Sequence, residues 1–222
     1  MRTHPVFLRL EGRSCVIVGG NTAAEAKARA CLDAGARVTL IAAELTTGLA
    51  MLAADGTVRH TPRSYRPGDL AGAVLAYAAV AEVEVIRQLR AEAERERVLL
   101  NVIDVPEACA FLAPAVVRRG QLQVAIGTGG ASPAFAARLR REFEGRLGPE
   151  YAPFVAILGA VRRTLQEGPA RRAVLDALLD SPLLDLVRQG RVGDVDRLLE
   201  QVAGAGVTLA HLGISLGAEA AS

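Results

Sequence analysis

The chain contains no tryptophan, and aromatic residues account for only 4% of its 222 positions. Its 51% apolar content is therefore mostly Ala, Val and Leu, a composition suited to a sheet covered by alanine-rich helices. Lysine is almost missing too. Lys27 is the only one, so arginine carries nearly all the positive charge. With 26 basic and 24 acidic side chains the net charge is +2. That balance argues against a dedicated nucleic-acid binder but leaves arginines free to hold a polyanionic small molecule. The three cysteines, Cys15, Cys31 and Cys109, are odd in number and widely spaced, which argues against a disulfide framework and for reduced thiols in a cytoplasmic protein. His4, His60 and His211 stand alone, no Cys/His spacing resembles a zinc site, and no metal is expected. No apolar run reaches the ~18 residues that span a membrane, and no charged-then-apolar leader precedes Val6. Neither membrane insertion nor secretion is expected.

Strand and helix signals alternate through the first half. Ser14 to Gly19 is apolar on both faces, as a buried parallel strand is. A helix follows over Thr22 to Asp33, with Thr22 as its expected N-cap and Gly35 as its stop. Further strands are expected over Arg37 to Ile41, Val58 to Thr61, Ala73 to Ala79 and Val98 to Val102, with helices over Leu45 to Ala54 and Val80 to Arg97. This alternation specifies an α/β, Rossmann-type doubly wound parallel sheet. The pattern changes after Ile103. Ala115 to Gly120 and Leu122 to Gly127 read as two antiparallel strands joined at Gly120, and a helix is expected from Ala134 to Arg146. From Pro149 the chain is helical by periodicity, and the tail Ala218 to Ser222 is expected to fray.

Three constellations can carry chemistry. In Val18-Gly19-Gly20-Asn21-Thr22-Ala23, a glycine turn leads from a strand into a helix, the arrangement that sets a dinucleotide pyrophosphate on a helix N-terminus. Its spacing reads Gly19-x-Asn21-x-x-Ala24, with Asn where the usual fingerprint has its middle glycine. The alternative is a tight strand–helix turn that binds nothing. Glu44, just past the second strand, stands where a carboxylate holds ribose hydroxyls, and equally where a first-turn helix residue would be. The second constellation is Asn101-Val102-Ile103-Asp104-Val105-Pro106. It sets an Asp at the carboxyl end of a strand, either as a proton acceptor or as a turn former before Pro106. The third is Thr128-Gly129-Gly130-Ala131-Ser132-Pro133. It either binds an anionic group or caps a helix, with Ser132 as N-cap and Pro133 in the first turn. Of Arg118 and Arg119, either could meet an acidic ligand.

The order of these pieces resembles one family. The glycine turn with Lys27 comes first, then Asn101-Val102-Ile103-Asp104, Cys109-Ala110-Phe111 and Pro114-Ala115-Val116-Val117-Arg118-Arg119-Gly120-Gln121-Leu122. Ala125 to Pro133 and Ala137-Arg138-Leu139-Arg140 close the series. The chain resembles precorrin-2 dehydrogenase, the dehydrogenase/ferrochelatase module of siroheme synthase. The resemblance runs from about Val6 to Arg163 and is most specific between Phe111 and Arg140. It implies NAD-dependent oxidation of precorrin-2 to sirohydrochlorin, with Fe²⁺ insertion as a second activity in some members. It also implies a homodimer and a stand-alone module without a methyltransferase domain. Asp104 matches the family's catalytic aspartate. Gly19, Gly20, Asn21, Thr22, Ala23, Ala43, Glu44, Ala79 and Val80 fall on the NAD side. Asn101, Arg119, Thr128, Gly129, Gly130 and Ser132 fall on the tetrapyrrole side. The implied organisation is a Rossmann NAD-binding domain over 1–112, a strand-containing dimerisation and active-site region over 113–148, and a helical C-terminal domain over 149–222.

The departures from the family pattern cluster at the cofactor. Asn21 replaces a glycine, Ala23 and Ala26 stand where Val and Arg are usual, and Ala79-Val80-Ala81-Glu82 lacks the polar pair common after that strand. The expectation is retained tetrapyrrole binding with weakened NAD use. The rival readings are a chelatase that no longer oxidises and a non-catalytic tetrapyrrole- or nucleotide-binding homologue.

Overall fold

The computed structural model describes residues 2–216, so the tail from Ala218 to Ser222 lies outside the described residues. The chain divides into two compact units. One runs up to Ala113 and includes Gly129–Ala131, and the other comprises Pro114–Thr128 and the chain from Ser132 onward. The antiparallel strand pair and the C-terminal helices thus share one unit.

The first unit is a five-stranded parallel sheet. Its strands are β1 (Ser14–Val18), β2 (Arg37–Ile41), β3 (Arg59–Thr61), β4 (Leu75–Ala78) and β5 (Leu99–Val102), in the order β3-β2-β1-β4-β5. Helices α1 (Thr22–Asp33), α2 (Thr47–Ala54) and α3 (Val83–Glu96) connect β1 to β2, β2 to β3 and β4 to β5, and a loop joins β3 to β4. The sheet is buried on both faces. Val16, Val18, Ala76, Leu100 and Val102 pack on one side, and Cys15, Ile17, Val38, Leu40 and Leu75 on the other. Burying a side chain such as Ile17 or Leu40, both at 0% exposure, contributes about 1.5–3 kcal/mol, and this requirement keeps the strands almost wholly apolar. Cys15 and Cys31 are free and buried on the second face. The neighbouring Cys15, followed by burial, pushes the Cys31 thiol upward, so it stays protonated.

Several element ends differ from the sequence reading. Thr22 is not the cap of α1. The side chain of Asn21 is, its Oδ1 accepting from Ala24 N–H at 3.0 Å. Helix α2 starts at Thr47 because Thr46 caps it, its Oγ1 accepting from Leu49 N–H, so Glu44 sits in the β2–α2 loop and not in a first turn. Helix α3 starts at Val83, which leaves Val80 to Glu82 as a loop at the end of β4. Gly35 follows α1 at φ 75°, the left-handed geometry that ends a helix.

One buried cluster had no sequence signal. Glu92, at 1% exposure, lies inside the otherwise charged α3. Its carboxyl group accepts from the N–H groups of Gly68 and Leu70, each at 2.9 Å, and from the Tyr65 hydroxyl. This pins the loop after β3 to α3.

In the second unit β6 (Ala115–Arg119) and β7 (Leu122–Ile126) form an antiparallel hairpin through Gly120, which has φ 56°. Helix α4 (Pro133–Arg146) packs on it. Helices α5 (Tyr151–Thr164), α6 (Pro169–Leu179), α7 (Leu183–Arg188) and α8 (Val192–Ala203) enclose a core of Ile157, Val161, Leu178, Leu183, Val195 and Leu199.

Candidate active site

The strand order places the candidate residues of the first unit along one edge. The strand order reverses at β1, with β2 and β3 laid to one side and β4 and β5 to the other, and ligands of such sheets bind at this switch point. In register, Ile41, Val18, Ala78 and Val102 are neighbours. The residues just beyond them are therefore Ala43 and Glu44, Gly19 to Ala23, Ala79 and Val80, and Ile103 and Asp104.

Local packing demands both glycines of the turn. Gly19 has φ 116°, and a Cβ on it would lie 2.6 Å from the Ala79 carbonyl oxygen. A Cβ on Gly20 would lie 1.8 Å from the carbonyl oxygen of Glu44. The turn is thus wedged between the loops that follow β2 and β4. Asn21 reinforces it. While its Oδ1 caps α1, its Nδ2 donates to the Ala79 carbonyl at 3.1 Å. The first-turn N–H groups of Thr22 and Ala23 have no partner within the helix, and they point to the end where the helix dipole favours an anion.

Glu25, one position past the fingerprint, was not singled out from sequence. It steadies the same loop: its Oε2 accepts from Thr46 Oγ1 at 2.5 Å, and its Oε1 accepts from Arg29. Thr46 first, then Arg29, holds the Glu25 carboxyl below its usual range. Gly48 makes room for it, since a Cβ there would stand 2.1 Å from Glu25 Oε1. A cleft of about 320 Å³ opens between these loops, lined in part by Gly20, Ala43, Glu44, Tyr65, Val80 and Glu82. Its size falls within the range of small-molecule sites. Neither lysine nor arginine lines it.

Asp104 is exposed and has φ 63°. Only one other described non-glycine residue has a positive φ, Arg97 at the end of α3. Asp tolerates this conformation better than most residues but still at a cost, and strain of this kind gathers at functional sites. Asn101 belongs to the end of β5. It is buried at 8% exposure, and its Nδ2 donates to the Phe111 carbonyl at 2.9 Å. It anchors the segment after Asp104. Phe111 meets the Tyr77 ring edge-on at 5.5 Å between centroids, and Lys27 Nζ lies 5.4 Å from the centre of that ring.

In the second unit, Arg119 is committed to its own fold. Its Nε donates to the Leu147 carbonyl at 2.7 Å, Nη2 to the Glu144 carbonyl and Nη1 to the Arg118 carbonyl. It closes the C-terminal end of α4, whereas Arg118 is exposed. Ser132 caps α4 by accepting from Phe135 N–H, and Thr128 Oγ1 accepts from Ser132 N–H. Gly129 and Gly130 have φ 61° and 83°. Among the described residues no group of three or more His, Cys, Asp or Glu could hold a metal ion, and no helix is long and apolar enough to cross a membrane.

Comparison with known proteins places this arrangement. An NAD(P)-binding family model matches residues 6–115, a sirohaem biosynthesis protein central model matches 119–146, and a sirohaem synthase dimerisation region model matches 158–202. The chain is similar to siroheme synthases over most of its length. It is 34% identical over 206 residues to the siroheme synthase of Methylobacillus flagellatus, covering 91% of this chain and 44% of that protein. It is 37% identical over 194 residues to the siroheme synthase of Chromobacterium violaceum, covering 86% of this chain and 41% of that one. The chain therefore spans less than half the length of these relatives. Its fold matches the solved structure of SirC, precorrin-2 dehydrogenase, with a TM-score of 0.75 at 23% identity, covering 90% of this chain and 98% of the other.

Proposed function

We propose that this chain oxidises precorrin-2 to sirohydrochlorin with NAD⁺, a step in siroheme synthesis, and that it works as a cytoplasmic homodimer. The observation that carries this reading is Asp104, held in a left-handed conformation on the same sheet edge as the glycine turn. The first-unit residues fit a dinucleotide. Free N–H groups at the start of α1 suit a pyrophosphate, and the Glu44 carboxylate at the cleft suits ribose hydroxyls. The bound nicotinamide supplies a hydride acceptor. Two hydrogens leave the macrocycle in the reaction, one as hydride and one as a proton, and the Asp104 carboxylate receives the proton.

The tetrapyrrole's carboxylates need cations. Arg118, which is exposed, takes that part in place of Arg119. The Gly129-Gly130 backbone is the remaining contact candidate, because Thr128 and Ser132 are engaged in capping. Asn101 acts by positioning the Phe111 segment. Fe²⁺ insertion, where it follows, would use Asp104 to take up the pyrrole protons.

The test is incubation of the purified chain with precorrin-2, with and without NAD⁺. The expected result is NADH and the sirohydrochlorin spectrum only when NAD⁺ is present. Metal insertion into supplied sirohydrochlorin without any NADH formation would mean a chelatase. A bound, unchanged chromophore would mean a tetrapyrrole-binding homologue.

A further inference from the structure

We propose that Asn21 is a cross-bar over the dinucleotide crevice, a positioning residue that sets how tightly the cofactor is held. The inference deepens the NAD reading above and rests on it. The crevice of this sheet lies between the ends of β1 and β4, where the strand order reverses. The Asn21 side chain spans that gap. Nδ2 donates to the carbonyl of Ala79 just beyond β4, and Oδ1 accepts from Ala24 N–H in α1. A glycine here would leave both groups open.

The backbone does not explain the substitution. Asn21 has φ −84° and ψ −179°, extended values that any residue adopts. The change from glycine therefore acts through the side chain and its two bonds. Asn21 also lines the cleft on the Glu44 side, together with Gly20, Leu45 and Thr46. A pyrophosphate approaching the Thr22 and Ala23 N–H groups meets the amide where the fingerprint normally presents no side chain. To settle there, it must displace the bridge to Ala79 or stand off from the helix. Meanwhile the turn is held in shape without any ligand, because the side chain supplies the cap.

The experiment compares the full chain with Asn21→Gly and Asn21→Ser. Serine keeps a cap for α1 and cannot reach as far as the amide. NAD⁺ affinity is measured by titration calorimetry, the KM for NAD⁺ and kcat in steady state, and Tm without ligand. Both variants are expected to bind NAD⁺ about fivefold more tightly, the ratio matching one hydrogen bond of ordinary net strength. KM is expected to fall while kcat holds, and Asn21→Ser to keep the wild-type Tm. A merely structural Asn21 would move Tm and leave NAD⁺ affinity alone. Equal or weaker NAD⁺ binding by both variants overturns the cross-bar while leaving the NAD reading intact. If neither the wild type nor the variants bind NAD⁺, the NAD reading falls and the cross-bar with it.

Discussion

Gly20 faces the carbonyl of Glu44 so closely that a Cβ on it would stand 1.8 Å from the oxygen. The Gly20 carbonyl in turn accepts from Thr46 N–H at 2.9 Å. The β1–α1 turn and the β2–α2 loop therefore move together. Gly20→Ala is expected to destabilise the chain by about 1–3 kcal/mol through overpacking, and to weaken NAD⁺ binding because Glu44 shifts with the turn. Urea denaturation and calorimetric titration of NAD⁺ check the two parts separately.

Asp104 is expected to show a trade-off between stability and activity. Its φ of 63° suits glycine better than aspartate. Asp104→Gly should raise stability by about 1 kcal/mol while abolishing turnover. Asp104→Asn should keep wild-type stability, because Asn tolerates the same conformation, and also lose turnover. A Tm series beside NADH-formation rates reads both effects.

Arg119 and Arg118 should separate in the same way. Removing the Arg119 guanidinium leaves the Leu147 and Glu144 carbonyls without their donor. Arg119→Ala is expected to cost about 1.5–3 kcal/mol, the scale of a charge-assisted hydrogen bond. Arg118→Ala, at an exposed position, should change stability by no more than about 0.5 kcal/mol. It should instead raise the KM for the polycarboxylate substrate, measured at saturating NAD⁺.

Acid should loosen the wall of the cleft that carries Ser64 and Tyr65. Asp69 accepts a bidentate pair from Arg63, both bonds at 2.7 Å, and also accepts from Arg66 N–H. Arg63 foremost holds the Asp69 carboxyl below its usual range. A depressed carboxyl contributes stability that is full above the unfolded value of about pH 4 and fades as pH falls toward the folded value. Asp69→Asn should therefore lower Tm at pH 7 and lose that difference progressively below about pH 4. A Tm profile over that range tests the sign.

Much of the first unit was legible because its signals are local. β2 and the span of α1 follow from an apolar run and a helical run with punctuation at each end. What escaped was decided by side chains reaching across the fold. Thr22 looked like the cap of α1, but the Asn21 side chain reached Ala24 first. Glu92 resembled one more solvated charge on a Glu- and Arg-rich helix, and its partners Tyr65, Gly68 and Leu70 lie 22–27 residues away. Arg119 offered a free guanidinium on paper, yet α4 folds back to occupy it. That Glu44 lies just past β2 could be read because the apolar run of that strand ends at Ile41. The need for glycine at position 20 could not, because it comes from Glu44, 24 residues on.

The most direct test of the central claim is the stoichiometry of a single reaction: wild type and Asp104→Asn, each given precorrin-2 and saturating NAD⁺, with NADH and sirohydrochlorin followed together by absorbance. The account predicts NADH and sirohydrochlorin in equal amounts from the wild type and neither above background from the variant. Undiminished turnover by Asp104→Asn, or precorrin-2 left unchanged by the NAD⁺-bound wild type, would contradict it.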